Sequence, residues 1–169
     1  MKNIYSNIYK PTNNNLSKAK VVIEKGDVVA IPTETVYGLA ANAYNTKAVK
    51  KIFSLKKRPI NNPLIIHFKN IEQIKKEAVI NKNFLRLVKK FSPGPLTYVL
   101  KKRSGSKISK LANKGLSTLA VRIPSEKNTI KLLNILKCPL AAPSANRSKS
   151  LSPTTAKHVG EEFGSRIGM

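Results

Sequence analysis

The sequence predicts an α/β fold, a twisted mixed parallel and antiparallel sheet flanked by helices. Short apolar strands alternate along the chain with amphipathic helices, the pattern of a sheet covered by helices. Several connections between strands are too short to hold a crossover helix, so part of the sheet must be antiparallel. Helix ends are marked by capping side chains and by glycine or proline stops. With 169 residues, 41% of them hydrophobic, the chain can pack one core. No internal repeat or long linker divides it, so residues 1–169 read as a single domain.

The first helix is expected from Leu16 to Lys25, with Gly26 ending it. Asp27 to Ile31 (DVVAI) follows as a short buried strand. Asn45 or Thr46 caps a second helix with Ala48, Val49, Ile52 and Phe53 on one face, and Pro59 stops it near Arg58. Pro63 to Phe68 (PLIIHF) reads as a strand. Asn81 opens a helix carrying Phe84, Leu87, Val88 and Phe91, which Ser92-Pro93-Gly94-Pro95 breaks before a strand from Leu96 to Leu100. A basic loop over 101–115 leads to the strand Thr118 to Ile123 (TLAVRI). Ser125 is placed to cap a helix bearing Ile130, Leu133 and Leu136. Pro139 to Ala142 is a short strand, and Ser152 with Pro153 opens a last helix through about Phe163.

Composition narrows the chemistry. The charge balance is 32 basic residues against 8 acidic, a net +24, which attracts nucleotide, RNA or anionic lipid. Only six of the basic residues are arginine, and Asn and Ile abound, so most of the excess reads as compositional drift. With Asp27 the sole aspartate and seven glutamates, a two-metal carboxylate site or a glycosidase pair is hard to assemble. Two histidines and the lone Cys138 argue against a zinc cluster and against an internal disulfide, in keeping with a reducing cytoplasm. No run of about 18 apolar residues is available to span a membrane, and Met1 to Lys20 lacks the apolar stretch of a secretory signal. Neither GxGxxG after a strand nor GxxxxGK[ST] occurs, so the usual dinucleotide and P-loop routes to a nucleotide are unsupported.

Four segments place polar groups at the ends of apolar strands. Pro32 to Ala40 (PTETVYGLA) offers two threonines, Glu34 and Tyr37 for a small polar ligand, with Gly38 permitting close backbone approach; an ordinary Pro/Thr turn is the bland reading. Lys56, Lys57 and Arg58 suit phosphates, but also suit a helix C-terminus. His67 lies near the end of the strand that follows. Arg122 inside an apolar run must face water or an anion. Ala141 to Asn146 (AAPSAN) combines small residues with hydrogen-bonding Ser144 and Asn146, and a plain turn would look the same.

Taken in order, these motifs resemble the YrdC family of threonylcarbamoyl-adenylate synthases. PTETVYGLA, Lys-x-Arg-Pro with Asn-Pro-Leu-x-x-His, SPGPLT, LAVRIP and APSAN followed by SPT all fit, from about Ala19 to Val159. The resemblance implies a twisted mixed sheet around a deep basic cavity. It implies an enzyme that converts L-threonine, bicarbonate and ATP into threonylcarbamoyl-AMP and pyrophosphate, for a partner threonylcarbamoyl transferase complex acting on tRNA. Thr35, His67, Arg122 and Ala142 would line the threonine site, with Arg122 on the threonine carboxylate. Arg58, Asn62, Thr118, Ser144 and Ser152 would hold ATP, and Lys56, Arg58, Ser144 and Asn146 form the Lys-x-Arg and Ser-x-Asn signatures. Mg²⁺ would accompany ATP, held chiefly by phosphates and water because acids are scarce. Relatives usually continue into a glycine-rich strand and a Ser/Thr-containing segment, so the expectation is a domain lacking those C-terminal strands. The competing readings are an RNA-binding module using the same cavity, with direct RNA contact, and a related carbamoyl-transferring domain. Ten Tyr and Phe residues and no Trp leave little surface for stacking bases.

Overall fold

The computed structural model describes residues 5–59 and 61–169. The Thr12 hydroxyl accepts from the Asn15 amide and starts helix α1 (Asn13–Glu24) three residues before the apolar pattern begins. Gly26, at φ +85°, turns the chain out of that helix. The Asp27 side chain then accepts from the Val28 amide, so strand β1 spans Val29–Ile31.

Strand β2 (Gly38–Asn42) returns antiparallel to β1, with Val29 facing Ala40 and Ile31 facing Gly38. The sequence predicts no strand here, only the polar PTETVYGLA segment after the first strand. The β2 side chains are buried on both faces, Leu39 and Ala41 in one core cluster and Ala40 in the other, so no polar alternation marks it. Asn45 accepts from the Lys47 and Ala48 amides and opens α2 (Thr46–Lys56). Strand β3 (Ile65–His67) follows. A short helix, α3 (Ile71–Glu77), is capped by Asn70 and was not foreseen. Helix α4 (Lys82–Phe91) starts at Asn81 as expected and leads to β4 (Tyr98–Lys101) and β5 (Thr118–Arg122).

Helix α5 (Lys127–Ile135) is capped by the Glu126 carboxylate, which accepts from the Thr129 amide at 2.7 Å, and not by Ser125. Strand β6 is reduced to Leu140–Ala141. Helix α6 (Ala156–Phe163) begins after Thr155, three residues beyond the expected Ser152-Pro153 start. Pro153 remains in extended chain because its carbonyl accepts from the Tyr37 amide at 2.8 Å, and the Thr155 hydroxyl supplies the cap. A 3₁₀ turn, Gly164–Arg166, follows α6.

The strands form one mixed sheet in the order β1-β2-β6-β3-β5-β4, in which β3 and β5 are parallel and all other neighbours antiparallel. Ile23, Leu132 and Leu133 cover one face from α1 and α5. The other is covered by α2, α4 and α6 through residues such as Phe53, Phe84 and Phe163. The parallel pair brings the C-terminal ends of β3 and β5 side by side, with His67 opposite Arg122.

The long loop between β4 and β5 is anchored by buried Glu77. Its carboxylate accepts from the Tyr44 hydroxyl at 2.7 Å, the Ser106 hydroxyl at 2.8 Å and the Lys107 amide at 2.8 Å. Glu77→Ala strands these donors in a dry setting, so it should lower unfolding free energy by about 3 kcal/mol in urea titration.

Candidate functional site

A cavity of about 320 Å³ lies beside the C-terminal ends of β3 and β5. Its walls come from Thr33 and Thr35 to Gly38, with Glu34 set behind them, from Arg58 and Pro63 after α2, from His67 and Arg122, and from Ala142 to Ser144 after β6.

Arg122 closes β5 and is 6% exposed. Its Nε donates to the Gly94 carbonyl at 3.3 Å and its Nη2 to the Thr35 hydroxyl at 3.4 Å. The same Nη2 lies 3.0 Å from Glu34 Oε1. Burial by itself would raise the Glu34 carboxyl. Backbone groups at Glu34, the Arg122 guanidinium and the Ser125 backbone outweigh it, and hold the group below its ordinary value. Gly94 has a second constraint, since a Cβ there would lie 2.6 Å from the Phe91 carbonyl oxygen.

His67 is 2% exposed, and neither ring nitrogen has a hydrogen-bond partner. Burial, and then the Arg122 charge, push its pKa down to about 4, so the imidazole is neutral near pH 7. A buried polar group without a partner is costly, and here it faces a cavity.

Lys56 ends α2 and is 1% exposed. Its ammonium donates to the Ser144 carbonyl at 2.5 Å and to the Asn146 carbonyl. Burial, with Arg58 nearby, pushes its pKa down to about 8. The loop it grips is also held from the other side: the Leu39 amide donates to the Pro143 carbonyl at 2.8 Å and the Ala145 amide to the Tyr37 carbonyl at 2.7 Å. Gly38 leaves room for this approach, its virtual Cβ meeting Ala142 Cβ at 3.4 Å. Asn146 donates to the Arg147 and Ser150 carbonyls and keeps its buried Oδ1 without a partner. Arg58 is oriented by the Asn62 and Pro63 carbonyls, each at 3.1 Å, and burial lowers its pKa.

Of the residues singled out by sequence, Thr35, Arg58, His67, Arg122, Ala142 and Ser144 line the cavity together. Lys56, from α2, and Asn146, on the Ser144 loop, stand behind that wall. Asn62, Thr118 and Ser152 are not among the lining residues: Asn62 and Ser152 are exposed, and Thr118 starts β5. Extending the β3–β5 register places Thr118 opposite Pro63, about 13 Å along the strand from Arg122. Thr118 therefore lies outside the cavity wall, at the far end of β5 from Arg122.

Sequence reading missed the Glu34–Arg122 pair and the Gly94 carbonyl. The scarcity of acids was a usable signal, since a buried arginine needs a partner and Glu34 lies in the nearest polar turn. Among the described residues no cluster of three His, Cys, Asp or Glu could hold a metal ion. No described helix is long and apolar enough to cross a membrane. A second cavity of about 320 Å³, mostly apolar, lies between α1, α6 and β1. It shares Tyr37 with the first but contains none of Arg58, His67 and Arg122, its charged lining residues being Lys10 and Glu126.

The Sua5/YciO/YrdC family model, described as telomere recombination, matches residues 21–169. The chain belongs to this family. It is 48% identical over 146 residues to the threonylcarbamoyl-AMP synthase of Pyrococcus abyssi, covering 86% of this chain and 42% of that protein. It is 37% identical over 166 residues to a putative threonylcarbamoyl-AMP synthase of Methanocaldococcus jannaschii, covering 96% and 77%. The crystal structure of P. abyssi Sua5 complexed with L-threonine superposes with a TM-score of 0.88 at 45% identity, over 92% of this chain and 46% of that one. Escherichia coli YciO shares the fold, with a TM-score of 0.83 at 19% identity over 94% and 77%. The chain thus spans less than half the length of the Pyrococcus relative.

In this Sua5/YciO/YrdC domain His67 carries a pH signature. Its folded pKa lies below the ordinary 6.5, so its contribution to stability is full above 6.5 and is lost as pH falls from there towards 4. Wild type should lose about 2 kcal/mol relative to His67→Gln between pH 7 and pH 5, measured by paired denaturant titrations.

Proposed function

We propose that this chain carries the adenylating site of an L-threonylcarbamoyladenylate synthase, an enzyme of the nucleotidyltransferase type. The observation that carries the reading is one cavity that joins an anion-seeking, imidazole-bearing end at Arg122 and His67 to a second guanidinium at Arg58. Family membership and relatives named threonylcarbamoyl-AMP synthase support it, as does the threonine complex of the P. abyssi protein.

In this reading Arg122 receives the carboxylate of L-threonine, with Thr35 and Ala142 shaping the pocket around it. His67, neutral at pH 7, hydrogen-bonds the bound amino acid. The threonine amine nitrogen attacks carbon dioxide derived from bicarbonate, forming the C–N bond of a carbamate and releasing a proton. A carbamate oxygen then attacks the α-phosphorus of ATP. The bond from that phosphorus to the bridging oxygen breaks, and pyrophosphate departs with its electron pair. Arg58 offers a fork of N–H donors to the phosphates, and Thr118, Asn62 and Ser152 would meet the nucleotide beyond it. No covalent enzyme nucleophile is required, so the protein contributes positioning and charge. Mg²⁺ would travel with the triphosphate and be held by phosphates and water, since the described residues supply no carboxylate cluster. The product would pass to a threonylcarbamoyl transferase complex that modifies tRNA, in the cytoplasm.

Lys56 acts differently from a phosphate grip. With its ammonium committed to two backbone carbonyls, it holds the Ser144–Asn146 loop in place. Pyrophosphate release from ATP with bicarbonate and Mg²⁺ should depend on L-threonine. Arg122→Ala and Lys56→Ala should each reduce it at least 100-fold, the first by losing the carboxylate seat and the second by releasing the loop. No threonine-dependent release from folded wild type would reject the reading for this chain.

A further inference from the structure

We propose that Glu34 is a built-in occupant of the carboxylate seat at Arg122, a latch that an incoming ligand carboxylate must displace. Among the described residues Glu34 is the carboxylate paired with this arginine, at 3.0 Å, and the pair is largely dry, the side chains being 8% and 16% exposed. The two partners are held very differently. Arg122 is anchored at the end of a ladder-paired strand and donates to the Gly94 carbonyl. Glu34 sits on a turn that belongs to no strand, organised by the Thr33 hydroxyl, which accepts from the Thr35 and Val36 amides. Besides Arg122, the Glu34 carboxylate is met by backbone groups of its own turn and of Ser125, both outside the strands. Glu34 is therefore the member that can leave without disturbing the sheet.

The energetics turn this mobility into selectivity. Withdrawing Glu34 with nothing in its place leaves a buried guanidinium unpaired, which is costly. Exchanging it for another carboxylate keeps the cation paired, and the Thr35 hydroxyl beside the same Nη2 stays to receive the newcomer. A ligand that lacks a carboxylate cannot make this exchange, however well the rest of it fits. The empty site is thereby kept stable and closed to amines that carry no carboxylate. The latch deepens the threonine reading and rests on it for the identity of the natural ligand, although the carboxylate seat itself can be tested without threonine.

Acetate, L-threonine and threoninol (the amino alcohol without the carboxylate) would be titrated into wild type, Glu34→Gln and Glu34→Asp. Calorimetry and the Arg122 side-chain Nε–Hε NMR signal would report binding. If the latched state dominates the free protein about ten to one, Glu34→Gln should bind acetate and L-threonine about tenfold more tightly. Threoninol binding should not change, and the ligand-free variant should melt at a lower temperature. Glu34→Asp, one methylene shorter with its charge kept, should show a smaller gain and guards against misfolding of the first variant. Tightened acetate together with threonine no better than acetate would uphold the latch while removing threonine as the ligand. Unchanged acetate affinity in both variants would overturn the latch. Weakened threonine with unchanged acetate would do so too, assigning Glu34 to the ammonium group, and so would acetate failing to bind any of the proteins.

Discussion

The site depends on a buried ammonium. Lys56 reaches from the last turn of α2 into a buried setting, in no ion pair among the described residues although the Glu162 charge favours it there, and satisfies itself on the carbonyls of Ser144 and Asn146. A charge held this way resists burial, and its depressed pKa records that cost. In return the carbonyls of a loop without regular secondary structure gain a donor that water cannot displace. The same loop is zipped to the 37–39 segment by backbone bonds, so Ala142 and Ser144 present a fixed wall to the cavity. Helix α2, strand β2 and the loop after β6 are thus one mechanical unit.

On the opposite wall the arrangement is softer. Arg122 is rigid because β5 is paired on both sides, to β3 and to β4. The turn facing it is built from hydroxyl-to-backbone bonds over three or four residues, which break and reform at little cost. One fixed wall and one yielding wall suit a site that must admit two substrates and hold them in line. Catalysis by alignment needs the fixed groups, and substrate entry needs the yielding ones.

A chain with net charge +24 uses its few carboxylates sparingly. Glu34 neutralises Arg122, Glu77 collects the donors that anchor the β4–β5 loop, Glu126 caps α5, and Asp27 joins α1 to β1 while meeting Lys51 at 2.5 Å. The exposed pairs such as Lys75–Glu72 contribute little to stability by comparison. Acids therefore mark structural junctions here, and the excess of lysine spreads over the solvent-facing surface.

Much of the scaffold was legible in local chemistry. Asn45 and Asn81 cap the helices expected of them, Gly26 ends α1, and the run from Thr118 to Arg122 is a strand because apolar β-formers there need no long-range help to be recognised. The ordered motifs also named six residues that meet at one cavity. Other features were silent because their determinants are distant in sequence. β2 is covered on both faces by elements far along the chain, which erases the alternation that reveals a strand. Helix α6 starts late because Pro153 is held by Tyr37, 116 positions earlier. The pairing of Arg122 with Glu34 spans 88 positions, and that of Lys56 with the Ser144 carbonyl also spans 88. The sequence by itself determined which residue types could bind an anion, an amino acid or a phosphate, because that depends on side-chain chemistry. Which of those groups are free, which are already occupied and which serve as struts was decided by the tertiary structure, because only folding sets the distances on which charge pairing and hydrogen bonding depend.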